Sequence, residues 1–186
     1  MTTPPDVDFL RRLAGRIPDD DLAWVWNHLG AGEFGDMERS LVNMVRDHAI
    51  PLSDTEWNRM VEAGITVTYA GLAELRVNGH RPVYHFEPSA ELSTVDDLLI
   101  ADVTTCSTLR RVVEARRIPQ SAAAPCPDLT VYVAEFAAGE SVLERRTGLF
   151  WGPGGAQLEV VAEGEELPPY QAAAFAAGRR IRPGSL

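Results

Sequence analysis

GEFGDMERSLVNMVRDHAIPLSDTEW, residues 32 to 57, reads as the end of one helix, the whole of a second, a Pro-Leu turn and the capped start of a third. Met37, Leu41, Met44, Val45 and His48 recur at the three-and-four spacing of a helix with one buried face. Pro51 ends that helix, because proline has no amide hydrogen for the helical ladder. Ser53 and Glu56 then stand at the S-x-x-E spacing of a capping box, in which each side chain takes a backbone amide left unpaired at a helix start. Trp57, Met60 and Val61 form the inward face of the helix that follows, and Gly64 closes it. The stretch describes a scaffold and offers no evident catalyst.

Towards the N-terminus the pattern is the same. Asp6 or Asp8 caps a short helix carrying Phe9, Leu10 and Leu13, which Gly15 ends. Pro18 and the run Asp19, Asp20, Asp21 open the next, where negative charge suits the positive end of the helix macrodipole. Leu22, Val25, Trp26 and Leu29 make its buried stripe, with Gly30 and Gly32 as the stop. Trp24 falls off that stripe, which makes it either a wedge against a second lobe or an exposed aromatic, the wedge being favoured. Residues 1–64 thus read as a lobe of four short helices.

Beyond Gly64 the period changes. Residues 73–77, the pair Asn78-Gly79 and residues 82–87 read as a hairpin, since Asn-Gly accepts the positive φ angles of a two-residue turn. Val83, His85 and Glu87 share one face of its second strand, and Tyr84 and Phe86 the other. Residues 94–117 read as mostly helical, although Val103, Thr104 and Thr105 weaken the pattern, and residues 119–128 as a loop. Strands are expected at 129–137, 144–151 and 157–162, forming an antiparallel meander whose last turn is Gly152-Pro153-Gly154-Gly155. Pro168 and Pro169 start a terminal helix that packs Tyr170, Ala174 and Phe175 on the sheet before a basic tail. The fold class is α+β, an N-terminal helical lobe (1–64) followed by an antiparallel sheet with packed helices (65–186), expected to form one compact unit because Trp24, Trp26 and Trp57 exceed what four short helices bury alone.

Whole-chain composition narrows the function. The 186 residues are 45% hydrophobic and 24% charged, as in ordinary globular proteins. No basic leader precedes an apolar run, and no stretch approaches the roughly 20 apolar residues of a membrane span, so the expected location is the cytoplasm. The net charge is −10, with arginine as the sole basic residue besides histidine, and acidic residues cluster at Asp19, Asp20 and Asp21, at Asp96 and Asp97, and at Glu163, Glu165 and Glu166. That balance opposes binding to a nucleic-acid backbone and attracts a basic protein.

Candidate chemistry is sparse. The four histidines stand at no zinc-binding spacing, Cys106 and Cys126 make no CxxC pair and read as buried thiols, and GPGG at 152–155 lacks the Lys-Ser/Thr of a phosphate loop. No metal and no cofactor is expected. His85 beside Glu87 is the one conceivable acid/base pair, and Cys106 the one conceivable nucleophile.

The pattern PDDDLAWVWNHLGAGEFGDMERSLVNMVRDHAIPLSDTEWNRM, an aspartate-led helix, a Gly-Glu pair, a helix with leucine at its centre, then IPLS and an acidic capped helix, resembles the helical segment of bacterial immunity proteins of polymorphic-toxin and contact-dependent inhibition systems. The resemblance covers about residues 19–63. It implies a non-enzymatic inhibitor that occludes the active site of a cognate, basic toxin domain, with Asp19, Asp20, Asp21, Trp24, Glu33, Glu163, Glu165 and Glu166 as partner-binding residues. The alternatives are a small hydrolase or transferase with a site between the lobes, built on His85, Glu87 or Cys106, and a regulatory adaptor for a partner other than a toxin.

Overall fold

A computed structural model describes residues 7–62, 83–89, 100–149 and 156–181. The chain divides into two compact units: Met1–Val83 with Ser121–Cys126, and Tyr84–Gln120 with Pro127–Leu186.

The first unit holds α1 (Val7–Arg12), α2 (Asp19–Gly30), α3 (Phe34–Asp47) and α4 (Asp54–Glu62). Its core is the set of apolar stripes legible in the sequence: Phe9, Leu10 and Leu13; Leu22, Val25, Trp26 and Leu29; Met37, Leu41 and Val45; and Met60, all buried. Each such side chain removed from water contributes on the order of 1.5–3 kcal/mol. Gly15 and Gly32, both at φ 74, take the left-handed conformation that turns the chain between helices. Helix α3 ends earlier than Pro51 requires. Ala49 adopts φ 47, its amide bonds Arg46 O at 3.1 Å and the Ile50 amide bonds Val45 O at 2.9 Å, which is a Schellman closure with alanine where glycine is usual. His48, expected on the buried face, is therefore the exposed cap of the helix, and Val42 takes its place in the core. Val61 is likewise outward, at 40% exposure.

The capping box forms as read: Ser53 N donates to Glu56 Oε2 at 2.8 Å, and Glu56 N to Ser53 Oγ at 3.3 Å. The second Glu56 oxygen accepts from Arg16 Nη1 at 2.6 Å, and Arg16 Nη2 donates to Pro51 O, so a buried ion pair fixes the cap of α4 to the end of the α1 segment. Asp8 adds a second tie, accepting from Arg12 at 2.8 Å and Arg59 at 2.9 Å. The returning segment Ser121–Cys126 completes this unit, with Cys126 buried and its thiol donating to Ile17 O at 3.1 Å.

The second unit is a mixed sheet of β1 (Tyr84–Pro88), β2 (Leu109–Pro119), β3 (Leu129–Phe136), β4 (Ala156–Ala162) and β5 (Arg179–Ile181), with α5 (Val142–Gly148), α6 (Pro169–Ala177) and helical residues 100–104. The order is β1-β2-β3-β4, and β5 also pairs with β2. Strands β1 and β5 lie end to end along one edge of β2, opposite residues 115–119 and 112–114 respectively, while β3 runs along the other edge. One face buries Val112, Tyr132, Ala134, Phe136, Leu158, Val160 and Ile181 against Ile100, Val103 and Leu149. The other buries Phe86, Ala115, Val131, Val133 and Val161 under α6 through Ala174, with Tyr170 and Phe175 at the margin.

Residues 109–117 are an interior strand of the sheet and not the helix that the sequence pattern suggests. Buried on both faces from Val112 to Ala115, the strand has no period-two signal, and its arginines mimic a charged helix face. Residues 144–151 were expected as strand, yet Val142–Gly148 is helix, capped by Ser141 Oγ on the Glu144 amide at 3.3 Å. That helix is a crossover, so β3 and β4 are parallel and the antiparallel meander is replaced by a mixed sheet. The expected strand at 73–77, the Asn78-Gly79 turn and the GPGG loop lie outside the described residues.

Gly178 joins α6 to β5 against the sheet. A Cβ there would collide with Val113 Cγ1 and stand 2.8 Å from Glu114 O, so glycine is required for this close approach.

Candidate functional site

Helix α2 turns its apolar stripe inward, which leaves Asp20, Trp24 and Asn27 in line on the outer surface at the i, i+4, i+7 spacing. Trp24 is 60% exposed, in line with the exposed aromatic of the two readings. Asp20 and Asp21 stand one turn before Trp24, on the side towards which helical side chains in general lean. One turn further on is His28, its ring centroid 5.9 Å from that of Trp24 and tilted by 30°.

The surroundings are fixed by two histidine–carboxylate contacts. His28 Nδ1 lies 2.8 Å from Glu33 Oε2, and His48 Nε2 lies 2.8 Å from Asp21 Oδ2. The second joins the start of α2 to the end of α3, a contact made possible by the early closure at Ala49 that leaves His48 on the surface. Asp20 is exposed and enters no hydrogen bond or ion pair with the described residues. Asp19, Asp20, Asp21, Trp24 and Glu33 thus lie on one unit, and Trp24 is the exposed indole among the described residues.

Glu163, Glu165 and Glu166 belong to the other unit and are employed differently. Glu163 pairs with Arg110 at 3.3 Å, and Glu165 Oε1 accepts the Ala162 amide at 2.6 Å across the turn in which Gly164 has φ 80. Glu166 is exposed. Two of the three carboxylates therefore close the end of β4.

The groups considered for catalysis do not assemble among the described residues. His85 is exposed and shares no hydrogen bond with Glu87, whose carboxylate lies 3.6 Å from Arg116. Arg116 is itself held by Asp128 in a two-point contact at 2.9 and 2.8 Å. Cys106 is half-buried against the first face of the sheet, and Cys126 is buried; both are free thiols. Among the described residues no group of three or more His, Cys, Asp or Glu is placed to hold a metal ion, and no helix is long and apolar enough to cross a membrane.

A buried polar network under α6 escaped sequence reasoning. Arg117 donates to Pro127 O at 3.0 and 2.9 Å, to Gln157 Oε1 at 3.1 Å and to Tyr170 Oη at 2.8 Å. Gln157 and Gln171 each donate to Glu159, at 2.7 and 2.8 Å. Arg146 is also buried, and burial pulls its guanidinium down to about 9, against the opposing pull of Glu159. Gln157 and Glu159 alternate with Leu158 and Val160, a pattern that reads as a solvent-facing side of a strand; only the terminal helix lying over them makes it a core.

Compared with protein-family models, with curated proteins and with solved structures, the chain finds no match in any of the three.

Proposed function

We propose that this protein is an immunity protein, a stoichiometric inhibitor that binds a basic toxin domain in the cytoplasm of the cell that makes the toxin and occludes its active site. The observation that carries the reading is Trp24, an indole left 60% exposed on α2, one helical turn after Asp20 and Asp21. Tryptophan at the centre of an interface supplies more binding energy than almost any other side chain. Surrounding carboxylates steer a basic partner and raise its association rate. The net charge of −10 and the resemblance of residues 19–63 to the helical segment of immunity proteins support the same reading.

The test is co-expression with basic toxin domains, taken first from any neighbouring reading frame that encodes a large secreted protein with a variable C-terminal domain. Protection should follow a one-to-one titration, and association should slow as salt rises, because screening shortens the reach of the acidic groups. Reversing Asp19, Asp20 and Asp21 should slow association by one or more orders of magnitude, with a separate reversal of Glu163, Glu165 and Glu166 as comparison. Protection at strongly substoichiometric amounts, lost in Cys106→Ala or His85→Ala while binding persists, would replace inhibition by catalysis.

A further inference from the structure

We propose that the outer face of α2, Asp20–Trp24–Asn27, is the docking surface and that it receives an arginine of the basic partner, its guanidinium stacked on the Trp24 indole and paired with Asp20. The inference rests on the inhibitory reading and names its surface and chemistry.

Three observations converge on this face. Trp24 is the most exposed of the tryptophans in the described residues, and its ring has a neighbour, His28, on the C-terminal side. Asp20 stands one helical turn before it, a spacing that puts Cβ atoms about 5–6 Å apart, and its carboxylate is uncommitted among the described residues. Asp21 and Glu33, by contrast, are held at 2.8 Å by His48 and His28. The face therefore offers one aromatic plane and one unengaged carboxylate within a rim of positioned side chains.

Charge decides the occupant. A second copy of a chain of net charge −10 would bring its own carboxylates against these, and a neutral apolar partner would leave Asp20 desolvated and unpaired at a cost. Guanidinium suits both elements at once: it is planar, stacks on an indole, and engages a carboxylate through two donors, whereas an ammonium is a compact, strongly hydrated charge. Among the described residues the Glu163, Glu165 and Glu166 group has no exposed indole beside it, and two of its members are already engaged.

The experiment uses the full chain, isotopically labelled, and an uncharged-ended hexapeptide alternating arginine and glycine as the probe, with lysine and glutamate counterparts. The Trp24 indole N–H resonance, assigned through Trp24→Phe, should move saturably with the arginine peptide, at least threefold more weakly with the lysine one and not with the glutamate one. Asp20→Asn should weaken the arginine peptide at least fivefold, and Trp24→Ala, followed at the Asn27 and His28 amides, at least tenfold. Movement confined to residues around Glu163, an unchanged affinity in Asp20→Asn, or concentration-dependent self-association through Trp24 would each overturn the assignment. The two proposals fail separately. If Trp24→Ala protects against the toxin domain as well as wild type, this surface is wrong and inhibition stands; if the peptide binds at Trp24 but the wild type protects against no such domain, the surface stands and the immunity reading falls.

Discussion

Ala49 shows how much one residue decides. It holds φ 47, a conformation that alanine occupies at a cost of about 1–2 kcal/mol and glycine does not. Ala49→Gly should therefore raise stability, by about 0.5–1 kcal/mol once the greater freedom of glycine in the unfolded chain is subtracted, read as a higher urea midpoint with unchanged slope. A fall in midpoint would show that the left-handed turn is not strained. The sequence concealed this turn. Gly15 and Gly32 advertise theirs, but no glycine stands between Asp47 and Pro51, so in the sequence the proline marks the stop although the chain has already turned. The same displacement put His48 on the surface beside Asp21, which no spacing rule foresaw.

Among elements, α4 is held by its capping box, and the box has a buried extension. Ser53→Ala should cost about 1 kcal/mol through loss of the cap. Glu56→Gln should cost more, about 3 kcal/mol, because it leaves the Arg16 guanidinium buried beside a neutral amide. Thermal unfolding of both variants and the double variant checks this; equal losses would mean that Arg16 finds another partner for its charge. What was legible among elements was the amphipathic helices and the capping box at residues 53–56. Strand β2 was not, since burial on both faces abolishes alternation and its buried charges Glu114 and Arg117 are matched only in three dimensions, by Arg179 and by Gln157 and Tyr170. Helix α5 was legible and overlooked: Ser141 and Glu144 repeat the S-x-x-E spacing of Ser53 and Glu56, and that signal alone turns a meander into a parallel crossover. Of the candidate site, the aspartates and Trp24 could be singled out by composition and by their distance from the buried stripe, but their rim could not.

At the scale of the molecule, acid sensitivity should have an identifiable source in the helical unit. Burial alone would raise the Asp8 carboxyl, but the hydrogen bonds and charges of Arg12 and Arg59 outweigh it and hold the group below its ordinary value. A carboxyl whose folded value is depressed contributes stability above its unfolded value, here 3.8, and loses that contribution as pH falls through the folded value. Asp8→Asn should thus be less stable than wild type at neutral pH and converge with it in acid; a constant difference in urea midpoint across that range would assign the loss to packing. Cleavage should respect the units as the chain builds them. A fragment ending near residue 64 lacks Ser121–Cys126 and the thiol contact to Ile17, and should not persist as a cooperative domain in limited proteolysis. Recovery of such a fragment with a sharp thermal transition would show that the returning segment is dispensable.

The returning segment also sets an order of events during synthesis. The helical unit ends its main run before β1, yet its last piece, with Cys126, is translated only after all of β1 and β2. At ribosomal rates of about 5–20 residues per second, the helices wait roughly 3–12 s for the segment that covers Ile17. A ribosome that stalls before codon 121 therefore releases an N-terminal unit with an open core, a species for proteases to find, and the cell obtains a finished helical surface only from chains that have already made an interior strand of the sheet.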